Sequence, residues 1–232
     1  FGAFFLLFFD QIRMASIGAA SLRLVGSHAG VSIGQDGPSQ MALEDIAMMR
    51  TVFGSCVLYP SDAVSTWHLF NQMAEYNQGI SYLRTTRMAT PVIYDVLEEF
   101  PIGGCKVVLQ SDNDKVCVIG AGITLHNALA AYDTLIKDNI AISVIDLYSI
   151  KPMDRKTVLE VARQSGNKII TVEDHYLQGG LGDAVVFALK DTNIEIHCLA
   201  VDKMPRSATP NELMAYEDID AAAIVKKVED IL

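Results

Sequence analysis

Residues 26–40, GSHAGVSIGQDGPSQ, set His28, Asp36 and Gln40 among glycines 30, 34 and 37, directly after an apolar, strand-like run. A histidine can donate or accept a proton, a carboxylate can bind a hydroxyl, and an amide does both. Together they suit a polyhydroxylated substrate or a polar heterocycle, and the glycines would let a ligand approach closely. On residue types alone, a solvated glycine-rich loop is an equal alternative. Further on, Arg84 and Arg87 in LRTTR follow a second apolar run. They could clamp a phosphate or carboxylate through forked hydrogen bonds, or form salt bridges with the many acids available.

Three other constellations have simpler readings. Residues 118–125, VIGAGITL, run from a strand through GxG into a helix, with Asp146 ending the next strand, as in a dinucleotide-binding turn. Leu125 stands where the third glycine would be, so a tight strand-to-helix turn is the better reading. Glu173, Asp174 and His175 precede glycines 179, 180 and 182. A metal or acid/base role is conceivable, but carboxylates accepting hydrogen bonds from a glycine-rich turn, with His175 packed at an interface, explain the pattern more simply. Asp112 and Asp114 lack the rest of a calcium loop and read as turn residues. No metal ligand is assigned.

These groups need a scaffold, and the apolar runs supply one. LRLVG at 22–26, CVLYP at 56–60 and ISYLR at 80–84 read as strands with helices between them. Ser61 or Asp62 can cap the helix after CVLYP, while Asp36, Gly37 and Pro38 form a capped, proline-started entry to a helix over 41–50. Regularity lapses around 87–114, where Pro91, Pro101 and Gly103-Gly104 fall. The rhythm then restarts with KVCVIG, AISVIDLY, KIITV and EIHCLAV, again with helices between. The expected fold class is α/β: two three-layer α/β/α domains with mostly parallel sheets, over residues 1–94 and 113–232, joined by a linker over 95–112.

Composition narrows the partners. The net charge of −10, from 18 basic and 28 acidic residues, argues against a nucleic-acid surface. The opening FGAFFLLFF is too short for a bilayer span of roughly 20 residues, lacks the flanks of a signal peptide, and reads as a buried helix. No membrane partner is expected. Phe1 is not a start methionine, so the chain is expected to begin inside a domain. Four cysteines without a CxxC pair fit reduced thiols in a cytoplasm.

At this point the motifs carry a resemblance. GSHAGVSIGQDGPSQMALEDIAMMR, VLYPSDAVST, YLRTTRMATPVIY, KVCVIGAGITLHNALAA, VIDLYSIKPMDRKTV, ITVEDHYLQGGLGDAV and HCLAVDKMPRSATPNEL resemble transketolases, especially those of animal type, in order and over nearly all 232 residues. The resemblance implies a truncated pyrimidine-side thiamine-diphosphate-binding domain followed by the family's C-terminal domain. It implies that Phe4, with Phe1 beside it, packs on the aminopyrimidine ring and that Gln40 touches the cofactor. It also implies that His28 and Asp36 contact substrate hydroxyls, His28 with a proton-moving role, and that Arg87 holds a sugar phosphate with support from Arg84. A one-residue length difference between residues 60 and 79 precedes these arginines, although RTTR itself aligns.

The implied reaction moves a two-carbon ketol unit from a ketose phosphate to an aldose phosphate through thiamine diphosphate, in a cytoplasmic homodimer or in a pairing with an N-terminal thiamine-diphosphate-binding part. In the family pattern the activating glutamate lies upstream of Phe1, and the divalent metal, Mg or Ca, is bound by an N-terminal domain. The chain alone is therefore expected not to turn over. Alternatives are a non-catalytic C-terminal dimerisation or regulatory module, or a subunit of a split relative such as a deoxyxylulose phosphate synthase or an α-keto acid dehydrogenase beta subunit. His28 with RTTR argues against those last two.

Overall fold

A computed structural model describes all 232 residues, Phe1–Leu232. It contains two mostly parallel sheets. The first carries strands β1 (Arg23–Gly26), β2 (Cys56–Leu58) and β3 (Ser81–Arg84), with helices α1 (Phe4–Leu7), α2 (Phe9–Ile17), α3 (Asp45–Thr51) and α4 (Ala63–Glu75). The second contains β4 (Lys106–Leu109), β5 (Cys117–Gly120), β6 (Ser143–Asp146), β8 (Lys168–Tyr176) and β9 (Glu195–Val201). Between β6 and β8 lies a short strand, β7 (Ser149–Lys151). Helices α5 (Ile123–Leu135), α6 (Arg155–Gln164), α7 (Leu181–Leu189), α8 (Pro210–Tyr216) and α9 (Ala221–Ile231) complete the second half.

Strand order is β1-β3-β2-β7 in one sheet and β4-β6-β5-β8-β9 in the other. The three strands of the first half are parallel, as continuous apolar runs between helices require. The fourth member is β7, which leaves the second half and pairs antiparallel with β2, setting Val57 opposite Lys151 and Leu58 opposite Ser149. Lys151 Nζ reinforces this junction by donating to the Arg50 and Val52 carbonyls and to Ser55 Oγ at 2.8, 2.9 and 3.0 Å.

The two largest apolar clusters both mix the halves. One joins Ile46, Val57 and Tyr82 to Ile119, Ile145 and Leu181; the other joins Val31, Ile33 and Met41 to Val118, Leu125 and Leu213.

Three expectations need correction. Residues 106–109, inside the stretch read as a linker, form the antiparallel edge strand β4 against β6. The helix expected over 41–50 starts only at Asp45, after a 3-10 turn at Pro38–Gln40, and no side chain caps it. The opening segment is helical in two short pieces but far from buried: α1 has no buried residue, and Leu7 is 77% exposed. Phe5 does pack edge-on against Tyr82, whereas Phe1, Phe4 and Phe8 lie at the surface. By contrast, Asp62 caps α4 as expected and forms a capping box with Ser65. No helix is long and apolar enough to cross a membrane.

Candidate functional site

Strands β1, β2 and β3 run parallel, so the segments leaving their C-terminal ends lie side by side, where open α/β sheets place ligands. The chain leaves β1 at Gly26, where a Cβ would fall 2.1 Å from the Tyr82 hydroxyl. Two residues on, His28 adopts φ +59°, a left-handed conformation uncommon for a non-glycine residue. Its neighbours hold it there: Gly2 N–H donates to the Ser27 carbonyl at 2.6 Å, and Ala29 N–H donates to the Thr85 carbonyl at 3.2 Å. Nδ1 of His28 lies 3.0 Å from Ser27 Oγ, which leaves Nε2 for a ligand. The Phe1 ring is 4.5 Å from the imidazole and 5.9 Å from Phe4, and both phenylalanines are about half exposed.

Beyond this aromatic group lies a charged pair. Arg87 Nη1 donates to Asp36 Oδ1 at 3.0 Å and to the Ile33 carbonyl at 3.3 Å, and its side chain keeps 45% of its surface exposed. Ser32 Oγ and Thr86 Oγ1, 2.9 Å apart, tie the two loops together. Next to Thr85 and Thr86 opens a cleft of about 350 Å³ of mixed lining, with Ser61, Asp62, Thr66 and Thr90 beside Pro60 and Met88. Gln40 is half-buried and meets only Ser39 Oγ, at 3.5 Å.

Arg84, expected to support a phosphate beside Arg87, lies elsewhere. It is fully buried. Nε donates to Asp45 Oδ2 at 3.0 Å, Nη2 donates to the Asp174 carbonyl at 2.8 Å, and the guanidinium sits 4.6 Å over the Tyr59 ring. Burial works against its charge, but Asp45, Tyr59 and Asp174 outweigh that and raise its pKa. The salt-bridge alternative is the one realised. Asp45, which also accepts from the Tyr82 hydroxyl at 2.6 Å, carried no recognisable signal in the sequence because its partners lie 37 and 39 positions away.

The loop glycines were expected to admit a ligand, yet the second half of the chain occupies the space beside them. A Cβ at Gly30 would fall 2.0 Å from the Asp174 carboxylate. One at Gly34 would meet Pro210 at 3.1 Å, and one at Gly37 would meet Ser207 Oγ at 2.7 Å. All three have positive φ.

The GxG turn is filled in the same way, since a Cβ on Gly122 would lie 2.0 Å from the Tyr59 ring. Asp146, where a dinucleotide fold would hold a ribose, is buried and accepts from Ser61 Oγ at 2.9 Å and Tyr94 OH at 2.8 Å. Burial pushes its carboxyl up to about 7 against the pull of those two hydroxyls.

Of the EDH residues, Glu173 accepts from Leu181 N–H and Gly182 N–H at 2.6 and 2.8 Å, as expected for a glycine-rich turn. Burial pushes it up to about 8. His175 is buried where the halves meet, with Ala47 N–H 3.3 Å from Nε2, and burial pushes its pKa down to about 4.

The α/β chain thus carries a histidine, a half-exposed aromatic pair and an arginine–aspartate pair in the segments around the C-terminal ends of its parallel strands. Residues 1–92 match the transketolase pyrimidine binding domain and residues 105–224 the transketolase C-terminal domain. The chain belongs to the transketolase family. It is 50% identical over its full length to Transketolase-like protein 1 of Bos taurus and to Transketolase of Mus musculus, and it spans 39% and 37% of their lengths. Among solved structures, one described as a split gene transketolase, inactive beta4 tetramer, superposes with a TM-score of 0.78 at 30% identity, covering 90% of this chain and 65% of that one.

Family membership implies thiamine diphosphate. The Phe1 and Phe4 rings stand edge to face, 76° apart, and each keeps about half its surface exposed, so either one, but not both together, can offer an apolar face to the flat ring of such a cofactor. A divalent metal fits less well: no three His, Cys, Asp or Glu side chains are grouped to hold one.

Proposed function

We propose that this chain provides the ring-side and sugar-side walls of a transketolase site, in which a two-carbon ketol unit passes from a ketose phosphate to an aldose phosphate. The carrying observation is the Asp36–Arg87 pair standing beside the His28 loop, with a guanidinium still open to solvent. When bound, thiamine diphosphate supplies the carbon nucleophile and electron sink that such a transfer needs.

The chain's own residues bind, orient and move protons. Phe4, with Phe1 beside it, offers the face for the aminopyrimidine ring, and Gln40 is available for a polar contact to it. Arg87 has donors left over from its bond to Asp36 and takes the substrate phosphate through charge-assisted hydrogen bonds. Asp36 orients that guanidinium and accepts from a sugar hydroxyl. His28 Nε2 exchanges a proton with a substrate hydroxyl. Arg84 contributes from the interior, by holding Asp45 and the start of the Asp174 segment.

The diphosphate and the divalent metal are assigned to a thiamine-diphosphate-binding part outside the matched length, in the same polypeptide or as a partner. The chain by itself does not turn over. Four unpaired thiols accord with a cytoplasmic setting.

The test is ketol transfer by the chain assembled with that part. His28→Ala and Arg87→Ala each lower kcat/KM by at least about tenfold, the loss expected for one charge-assisted contact. Wild-type rates in both variants, or no transfer by the wild-type assembly, reject the reading. A beta subunit of an α-keto acid dehydrogenase would instead consume an α-keto acid in the same assay.

A further inference from the structure

Two adjacent carboxylates at the end of β8 serve different loops. Glu173 accepts from Leu181 and Gly182 N–H and so starts α7 within its own half. Asp174, facing the opposite side of the strand, reaches into the first half. Its Oδ1 accepts from Val31 N–H at 2.6 Å and its Oδ2 from Ser32 N–H at 3.3 Å. Asp174 is fully buried, and its own carbonyl accepts from Arg84 Nη2.

Those two amides open the 3-10 turn Val31–Ile33, which lies between His28 and Asp36. The turn is braced from the same side by Ala208, Pro210 and Ser207 against Gly34 and Gly37. From its own half it is held by Gly30 N–H donating to the Met41 carbonyl at 2.7 Å. His28, three residues earlier, sits in a left-handed conformation that persists only where surroundings over-determine it, at a cost of roughly 1–3 kcal/mol. The first half gives the loop three backbone bonds, at Ser27, Ala29 and Gly30, and ties it to Thr86 and Arg87, while the second half supplies the only acceptor for the Val31 and Ser32 N–H groups.

We propose that Asp174 is a positioning residue for the substrate loop: its carboxylate anchors the turn at Val31–Ile33 and thereby sets where His28 and Asp36 stand against the sugar phosphate. The proposal rests on the function given above. It assigns the C-terminal half a part in substrate recognition without direct contact. A carboxylate suits the task because two N–H groups converge on it. An amide in its place presents one acceptor and turns its NH2 toward the other N–H.

The experiment compares Asp174→Asn with Glu173→Gln, which removes the same kind of bond from the next residue of the same strand. Amide hydrogen exchange is followed on the chain itself, and KM and kcat for ketol transfer on the assembled enzyme. Asp174→Asn speeds exchange at Val31 and Ser32 by about tenfold, as expected for losing one hydrogen bond to a charged acceptor. It raises the sugar-phosphate KM by a similar factor while kcat stays within about threefold. Glu173→Gln speeds exchange at Leu181 and Gly182 but leaves residues 28–36 and KM as in the wild type.

If Asp174→Asn does not fold, Pro210→Ala removes the ring behind Gly34 and shifts exchange at 33–37 and KM in the same direction by a smaller factor. Unchanged exchange at Val31 and Ser32, or equal KM effects in the two carboxylate variants, overturns the anchoring role. Absence of ketol transfer in the wild-type assembly overturns the functional reading, and with it the substrate half of the proposal. Exchange still decides the anchor.

Discussion

Arg84 and Arg87 are three residues apart, chemically identical, and do opposite work. Arg84 is sealed between Asp45, Tyr59 and the Asp174 carbonyl, while Arg87 faces solvent beside Asp36. Replacing Arg84 by Met leaves Asp45 buried without its cation, a loss on the order of 3–5 kcal/mol that a urea titration reads directly. Arg87→Ala leaves the urea midpoint unchanged within about 0.5 kcal/mol, since an exposed pair contributes little, and acts on sugar-phosphate affinity instead. Equal stability losses in the two variants would contradict this division. The sequence displayed both arginines after an apolar run but held no cue to tell them apart, because Asp45 and Asp174 reach Arg84 only through tertiary contacts. His28 and Asp36 were legible as a cluster of ligand-type residues; the left-handed backbone of His28 was not.

At the level of elements, the parallel strands of both sheets were legible because buried parallel strands leave unbroken apolar runs, and the start of α4 was legible because Ser61 and Asp62 are both capping residues, of which Asp62 takes the role. The loop glycines misled. Those at 30, 34 and 37, like Gly122 in the expected tight turn, mark places where a side chain or backbone from the other half of the molecule crowds a Cβ, and local sequence does not reveal which neighbour that is. Gly122→Ala would force a methyl group into the Tyr59 ring at φ +59°, and it should destabilise the protein by about 1–3 kcal/mol, read as a fall in the urea midpoint. Tyr59→Leu in the same background relieves the clash and recovers part of the loss. No recovery would mean that the backbone conformation alone is responsible. Strand β7 was missed for a related reason: three residues of mixed polarity give no periodic signal, and their partner β2 lies about ninety positions upstream.

For the molecule as a whole, the buried polar layer between the halves makes stability depend on pH. Asp146 has only hydroxyl partners, Ser61 and Tyr94, and its folded pKa rises from 3.8 to about 7. A carboxyl whose pKa is raised by folding favours the native state while protonated. Its contribution is therefore complete below about pH 4 and declines as pH climbs to about 7, by an amount on the order of 4 kcal/mol. Asp146→Asn, which keeps an acceptor and carries no charge, should flatten the fall in thermal stability between pH 5 and 8. An unchanged slope would show that Asp146 is ionised in the native protein.

The placement of β7 in the other half's sheet, with Lys151 bonded to Arg50, Val52 and Ser55, means that covalent continuity and physical cohesion are separate properties here. The covalent link between the halves runs through an exposed stretch in which Leu97 is 88% open to solvent, whereas their cohesion resides in a shared strand and two shared cores. A protease nick near Leu97 should therefore give two polypeptides that elute together and separate only in denaturant. Two genes encoding the pieces on either side of that point would be enough to rebuild the same body.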